Sequence, residues 1–447
     1  MIRSLSQDGQ LPPTAMDHFS AQSLSRSSDD FNDNGRPESA QKDHDFLSFL
    51  SLVVSVVRGM STDLFLSSVV LGPALNIQDP ADRGTFFSIT LIEEKELSQN
   101  MVVSPNHLNP LPQIVALKMP LLEGDAGRPR DRRAFTSMAT ELQILRDDYI
   151  YDHENVVTLL GVLWQVDAGG RLLPAFAMEG SDIGNLRVFL SNNNIGLAER
   201  VGICIDIASA VKAIHSRGVV HCDIKPKNVL VFKRDFNSVV AKICDFGSSI
   251  LVANDEPNCE IRGGTKAWQA PEVDETLGAE QLRKADVYSF GLVFWYVFSP
   301  DAVDAILDCD ATSLHESKVS GDLLDTALET LEAQCESAPQ SINTDVLQMQ
   351  QCILGSTLAC SPSERWDMDA ILNALFEIAD CMTTAGEMFS SSSATSAVLN
   401  DRVARERMRL AEAKVGSYIQ DRQSDDGILH VRAFPTPSIF THAADCM

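Results

Sequence analysis

The stretch His221-Cys222-Asp223-Ile224-Lys225-Pro226-Lys227-Asn228 constrains this chain most, together with Asp245-Phe246-Gly247 seventeen residues further on. One carboxylate, one lysine and one carboxamide sit at fixed offsets on a single short loop. A second carboxylate follows, two residues before a glycine that lets the chain turn sharply. Such a set suits a site that holds a triphosphate and its metal ions while a hydroxyl attacks. Phosphoryl transfer asks the protein mostly for positioning and charge neutralisation.

The rest of the 447 residues leaves room for one large domain, or two ordinary ones, plus tails. Hydrophobic residues make up 44% and charged ones 22%, which permits a packed core. The net charge of −26 argues against a nucleic-acid surface, which needs clustered Lys and Arg. It suits basic protein partners or, more plainly, a solvated surface. The ten cysteines begin at Cys204 and include no C-x-x-C pair, so neither a zinc ribbon nor a redox motif is indicated. With no secretory signal, free thiols in a reducing, intracellular and cytoplasmic setting are expected. The greasy run Phe46 to Val57 is about half of the roughly twenty residues a membrane span needs. It reads as a helix packing on the domain that follows. Val287 to Phe298, closed by Pro300, reads as a buried core helix.

Residues 1–44 are rich in Ser, Asp, Asn, Gln and Pro and read as a disordered tail. A packing helix is expected over 45–64 and the main domain over 65–382, with a first lobe at 65–178 and a second at 179–382. Strand patterns fall at 86–92 and 113–118, separated by a polar, proline-containing stretch from Glu93 to Leu111 that reads as an inserted loop. Residues 132–146 place Phe135, Met138, Leu142 and Leu145 on one helical face. Residues 201–215 form a second helix, with Gly218 just past its end. A Ser-rich linker is expected over 383–400, an amphipathic, locally basic helix over 401–420, and a tail over 421–447. That helix suits docking on the protein's own acidic surface. No internal repeat is apparent.

The catalytic motifs resemble those of protein kinases, whose loops read H-R-D-L-K-P-E-N and D-F-G. Val115-Ala116-Leu117-Lys118 resembles the V-A-I-K strand, and Glu141, one helix later, matches the lysine's carboxylate partner. Asp147 and Asp148 are poorer choices. His153-Glu154-Asn155-Val156-Val157 resembles the turn after that helix, with His153 structural. Ala177-Met178-Glu179-Gly180 resembles the strand and hinge against which adenine lies. Gly264 to Glu272 resembles the segment that closes the activation loop, Asp286 to Gly291 the opening of the central helix, and Arg365 the partner of Glu272. The likeness covers about residues 65–382. It implies an α+β, two-lobed fold: a small antiparallel-sheet lobe with one key helix, and a larger, mainly helical lobe. The acidic body and mixed tails resemble divergent fungal or protist kinases of the tyrosine-kinase-like group.

The resemblance also implies ATP and Mg2+ as cofactors, and roles for individual residues. Asp223 would orient the attacking hydroxyl and accept its proton, and Lys225 would contact the transferring group. Lys118, held by Glu141, would reach the first phosphates. Asn228 and Asp245 would bind magnesium. Gly84, Ile89, Ala116, Met178, Glu179 and Gly180 would line the nucleotide. Lys225 after Asp-Ile, with Thr265, matches serine/threonine kinases, so the expected partner is a protein carrying Ser or Thr, with no nucleic acid and no membrane span.

Three departures from the pattern matter. The glycine-rich loop is eroded: in the register Asp82 to Ile89 only Gly84 survives, Phe87 replaces the third glycine, and Asp82 brings negative charge. A register starting at Gly72 fits worse. Fewer glycines leave fewer backbone N–H groups free to approach phosphate. Cys222 stands where an arginine usually waits for an activation-loop phosphate. Residues 250–264 contain no Ser, Thr or Tyr, so activity independent of phosphorylation there is expected. Cys222 and Cys244 lie near the site, with inert packing the safer reading. The favoured function is ATP-dependent phosphorylation of protein Ser/Thr. The rival is a pseudokinase that scaffolds or binds nucleotide without transfer.

Overall fold

The computed structural model describes residues 44–59, 70–71, 82–83, 86–100, 111–122, 129–166, 171–234, 238–252, 261, 263–337, 344–388 and 393–425. Residues 1–43 of the expected 1–44 tail, Gly84, residues 426–447 of the expected 421–447 tail, and residues 253–260 and 262 lie outside the described residues.

The chain begins with helix α1 (Phe46–Gly59), followed by β1 (Val70–Leu71), β2 (Asp82–Arg83), β3 (Phe87–Glu93), α2 (Glu94–Asn100) and β4 (Ile114–Pro120). Helix α3 (Pro129–Leu145), the single turn α4 (Asp148–Tyr151), β5 (Leu159–Val166) and β6 (Leu172–Glu179) complete the first lobe. Its six-stranded sheet runs in the order β1-β5-β6-β4-β3-β2. All pairs are antiparallel except β1 with β5, where Val70 and Leu71 run alongside Trp164 and Gln165. The expected antiparallel sheet therefore gains a parallel edge.

Strand β4 sits between β3 and β6, with Lys118 opposite Ile89 on one side and Phe176 on the other. Successive side chains on a strand point to opposite faces. Ala116 joins the main core, while Val115 and Leu117 enter a separate cluster with Leu71, Ile92, Leu97 and Leu163. Leu97 belongs to α2 and is fully buried. The stretch from Glu93 was expected to be a loop, but it opens as a helix because this side chain covers the outer face of the sheet.

The second lobe is built from α5 (Leu186–Asn192), α6 (Leu197–Ser216), β7 (Val219–Val220), β8 (Val229–Lys233), β9 (Val239–Ile243), β10 (Ile250–Leu251), α7 (Ala279–Phe298), α8 (Pro300–Leu307), α9 (Ala311–Ser320), α10 (Asp322–Ser337), α11 (Thr344–Thr357) and α12 (Met368–Met388). Asn185 caps α5 by accepting the Val188 N–H at 3.1 Å. Helix α7 is buried from Ala285 to Phe298, as a helix apolar all round must be, and Pro300 starts the next helix at once.

Helix α13 (Ser393–Asp425) is longer than the expected 401–420, and α12 runs to Met388. All of the expected Ser-rich linker at 383–400 lies in α12 and α13 except residues 389–392, which are outside the described residues. Docking explains the early start of α13: Leu399 and Val403 are buried in the main core. Arg402 enters the protein beside Glu199 and Asp206 of α6, each 3.6 Å away, and donates to the Val239 carbonyl. A Cβ on Gly202 would collide with this guanidinium.

Candidate active site

Lys118 rises from the centre of the first-lobe sheet into the cleft and is almost fully buried. Its Nζ lies 2.7 Å from Glu141 Oε2 and 2.7 Å from Asp245 Oδ1. Burial works against the ammonium, but the two carboxylates outweigh it and raise the lysine above its ordinary value. Burial pushes Glu141 up, with Lys118 opposing. Burial also works against charge on Asp245, yet the Lys118 ammonium holds it down at about 2. Three groups distant in sequence thus form one charged cluster.

Glu141 points inward because α3 is anchored on both sides. Phe135, Met138, Leu142 and Leu145 are buried, and the helix packs against the turn at Phe246–Ser248. Phe246 is fully buried, with its ring 5.0 Å from that of His221. Helix α1 closes the other side. The Phe49 ring lies 5.9 Å from Phe135 and 6.2 Å from Phe176, which is the register partner of Lys118.

The catalytic loop is held by its own backbone geometry. Cys222 and Asp245 both adopt φ +65°, the left-handed region that costs a non-glycine residue about 1 kcal/mol or more. The Asp286 carboxylate holds the first turn by accepting the N–H groups of His221 at 2.7 Å and Cys222 at 2.9 Å. His221 Nδ1 accepts the Asp223 N–H, and its Nε2 lies 3.1 Å from the Cys244 carbonyl oxygen. His221 therefore ties the two loops together, a structural role. Cys222 is buried, and burial pushes the Cys244 thiol up, so Cys244 is not a poised thiolate.

On that loop, Lys225 Nζ donates to Asp223 Oδ2 at 2.6 Å and to Thr265 Oγ1 at 2.7 Å. Asn228 Nδ2 donates to the Asp223 carbonyl oxygen at 2.9 Å and to Oδ2 at 3.0 Å. The second carboxylate oxygen, Asp223 Oδ1, is buried without a hydrogen-bond partner among the described residues. A buried acceptor left unpaired is costly, and it fits a site that receives a donor from a substrate. The Asn228 amide directs its nitrogen at Asp223, which leaves its oxygen and the Asp245 carboxylate as hard donors suited to Mg2+. Among the described residues no cluster of three or more His, Cys, Asp or Glu could hold a metal. A cation here would rely on these two oxygens together with phosphate.

The remaining sequence candidates are placed as follows. Met178 is buried opposite Ala116 on the adjacent strand, and Ile89 faces Lys118 across β3 and β4. The Glu179 carboxylate is engaged by Lys242 at 2.7 Å and by the Thr158 N–H at 2.7 Å, and its own N–H donates to the Thr158 carbonyl at 3.0 Å. A Cβ on Gly180 would approach Ile114 Cγ2 to 2.8 Å. Asp147 caps α4 and pairs with Arg217, away from Lys118. Arg365 meets Glu272 with both guanidinium arms, the second at 2.9 Å.

Two features escaped sequence reasoning. The Phe87 ring lies 4.7 Å from Lys118 Nζ, covering the ammonium where the family pattern has glycine. A cavity of about 270 Å3 opens beside the catalytic loop, bordered by Lys225, Thr265, Trp268 and Asp304 among others.

The protein kinase domain family matches residues 110–376, well over half of the chain. The chain belongs to this family. Among curated relatives, the dual specificity protein kinase zakA of Dictyostelium discoideum is 37% identical over 129 residues, covering 26% of this chain and 16% of that protein. Receptor-interacting serine/threonine-protein kinase 1 of Homo sapiens is 34% identical over 161 residues, or 33% of this chain and 23% of that protein. A putative serine/threonine-protein kinase/receptor, R831, of Acanthamoeba polyphaga mimivirus is 32% identical over 187 residues, 41% of this chain and 10% of that protein. The chain spans about a quarter or less of the length of these relatives. No helix among the described residues is long and apolar enough to cross a membrane.

Proposed function

We propose that the protein is an active serine/threonine protein kinase that uses ATP and Mg2+. The observation that carries this reading is the joint one in the cleft: Lys118 in contact with both Glu141 and Asp245, and Asp223 Oδ1 buried and unpaired among the described residues. A magnesium nucleotide, when bound, supplies the electrophilic γ-phosphoryl group and the neutralising cations. Asn228 and Asp245 would hold the cations and Lys118 the phosphates. Glu141 fixes the lysine. Asp223 Oδ1 accepts the proton of the substrate hydroxyl and aims its oxygen, while Lys225 sits at the same carboxylate to offset developing charge. The 270 Å3 cavity next to Lys225 and Thr265 is where the substrate chain would dock. Serine/threonine preference is supported by Lys225 with Thr265 and by the human and mimivirus serine/threonine-protein kinases among the relatives, while zakA is a dual specificity kinase.

The rival pseudokinase reading is favoured by one observation: the Phe87 ring occupies the approach to Lys118. Transfer of labelled γ-phosphate with Mg2+, to the protein itself and to a basic protein, decides between them. The active reading expects transfer that Asp223→Ala lowers by at least about a hundredfold. Folded wild-type protein that binds nucleotide but transfers nothing would overturn it.

A further inference from the structure

Lys318 lies on α9, far from the charged cluster in the cleft, and is only 3% exposed. Among the described residues no carboxylate forms an ion pair with it. Its Nζ donates instead to three backbone carbonyls of one turn: Lys266 at 3.2 Å, Ala267 at 2.7 Å and Gln269 at 2.7 Å. A buried ammonium is tolerated only when its N–H groups find acceptors, and one turn supplies all three. Tyr288 of α7 offers its ring face 5.9 Å away, and Arg365, which pairs with Glu272, stacks on the same ring.

That turn carries Thr265, whose Oγ1 accepts from Lys225, which in turn holds Asp223. Trp268, on the same turn, borders the cavity beside the catalytic loop. The chain of contacts from Lys318 to Asp223 is continuous: ammonium, turn carbonyls, Thr265, Lys225, carboxylate. At the turn's start, Gly264 adopts φ +94°, and a Cβ there would meet the Cys222 carbonyl. The turn is thus pressed against the catalytic loop on one side and clamped from below on the other.

We propose that Lys318 is a positioning residue that sets the substrate-docking turn against the catalytic loop, and so governs use of the protein substrate without touching nucleotide. The link to substrate rests on the kinase reading above. The clamp itself does not.

The test compares full-length wild type with Lys318→Met, which keeps the side chain's length and removes its donors. Amide hydrogen exchange at Trp268 and Gln269 reads the turn directly, because these N–H groups bond back to Thr265 and Lys266. Exchange at least about tenfold faster there, with α7 unchanged, is expected from the loss of charged hydrogen bonds. In phosphoryl transfer, KM for a basic protein substrate should rise about fivefold or more while KM for ATP stays within about twofold. Unchanged exchange in the turn, or exchange rising equally across α7, overturns the proposal. So does an equal rise in both KM values. If wild type transfers nothing, the kinase reading fails by itself and the exchange comparison still decides the clamp. Should Lys318→Met not fold, Lys318→Gln keeps two N–H donors and reads the same amides. An intermediate rise is expected, and wild-type rates overturn the assignment.

Discussion

Replacing Phe49 by alanine tests how the charged cluster is held. Phe49 lies on α1, outside the part of the chain that the kinase family matches, yet it is fully buried. Its ring sits between Phe135, on the helix that carries Glu141, and Phe176, on the strand beside Lys118. Truncating a buried phenylalanine costs about 3–5 kcal/mol, from lost transfer energy and the cavity left behind. Two aromatic contacts vanish as well, each worth about 0.5–1.5 kcal/mol beyond burial. The upper half of the range is therefore expected, about 4–5 kcal/mol, measured as the shift in urea unfolding. Phe49→Leu should recover most of it, leaving a deficit of about 1.5 kcal/mol or less. If α1 braces the ion pair, Phe49→Ala should also weaken nucleotide binding at a temperature where the variant stays folded. A stability loss under about 1 kcal/mol would refute the reasoning, since a ring packed between two others cannot be removed at so small a cost.

Phe87→Gly should raise nucleotide affinity about two- to twentyfold, because a ring over an ammonium is worth roughly 0.5–2 kcal/mol and must move before phosphate reaches Lys118. Titration with a fluorescent nucleotide reads this, and a fall in affinity would show that the ring helps binding instead. Arg402→Met should cost about 3–5 kcal/mol at pH 8, where it strands the buried Asp206 carboxylate. Burial already pushes Asp206 up to about 6, with Arg402 opposing, so the residue takes a proton as pH falls through that value. Without Arg402 the Asp206 carboxyl should protonate at a still higher pH, so the loss should shrink as pH falls from 8 toward about 6 and level off below it, and a loss independent of pH between 5 and 8 would contradict this account.

The motifs that carry chemistry were legible because they are local. Asp223, Lys225 and Asn228 share one loop, and the structure brings Lys225 and Asn228 within hydrogen-bond reach of the Asp223 carboxylate. Glu141 was legible through helical periodicity, since its neighbour Leu142 had to face the core. What sequence reasoning missed depends on contacts between distant segments. The greasy run at Phe46 announced a packing helix but not that its target was α3. Leu97 looked like one apolar residue in a polar insertion, because nothing nearby reveals the uncovered outer face of the sheet. Lys318 gives no local sign of burial: its acceptors are backbone carbonyls about fifty residues earlier, and backbone groups leave no mark in a sequence. Phe87 was recognised as a lost glycine, but its place over Lys118 comes from the pairing of β3 with β4.

The segments outside the family match pack against the first lobe. Helix α1 packs along α3, with Phe46 and Phe49 against Phe135. Helix α2 covers the outer face of the sheet that holds Lys118. Helix α13 reaches the turn that follows α4, where Arg409 contacts Glu154 at 3.4 Å and His153 at 3.2 Å. Burial, with Arg409 and Lys242 adding to it, depresses His153 to about 3, so the ring stays neutral, and its Nδ1 accepts the Asn155 N–H at 3.2 Å. The apolar face of α3 is thus braced by α1, while α2 covers the sheet and α13 reaches the turn after α4. Glu141 lies 2.7 Å from Lys118 within this packing. The contacts that border the pair's surroundings in the cleft are the Phe87 ring over Lys118 and the Thr265 hydroxyl against Lys225.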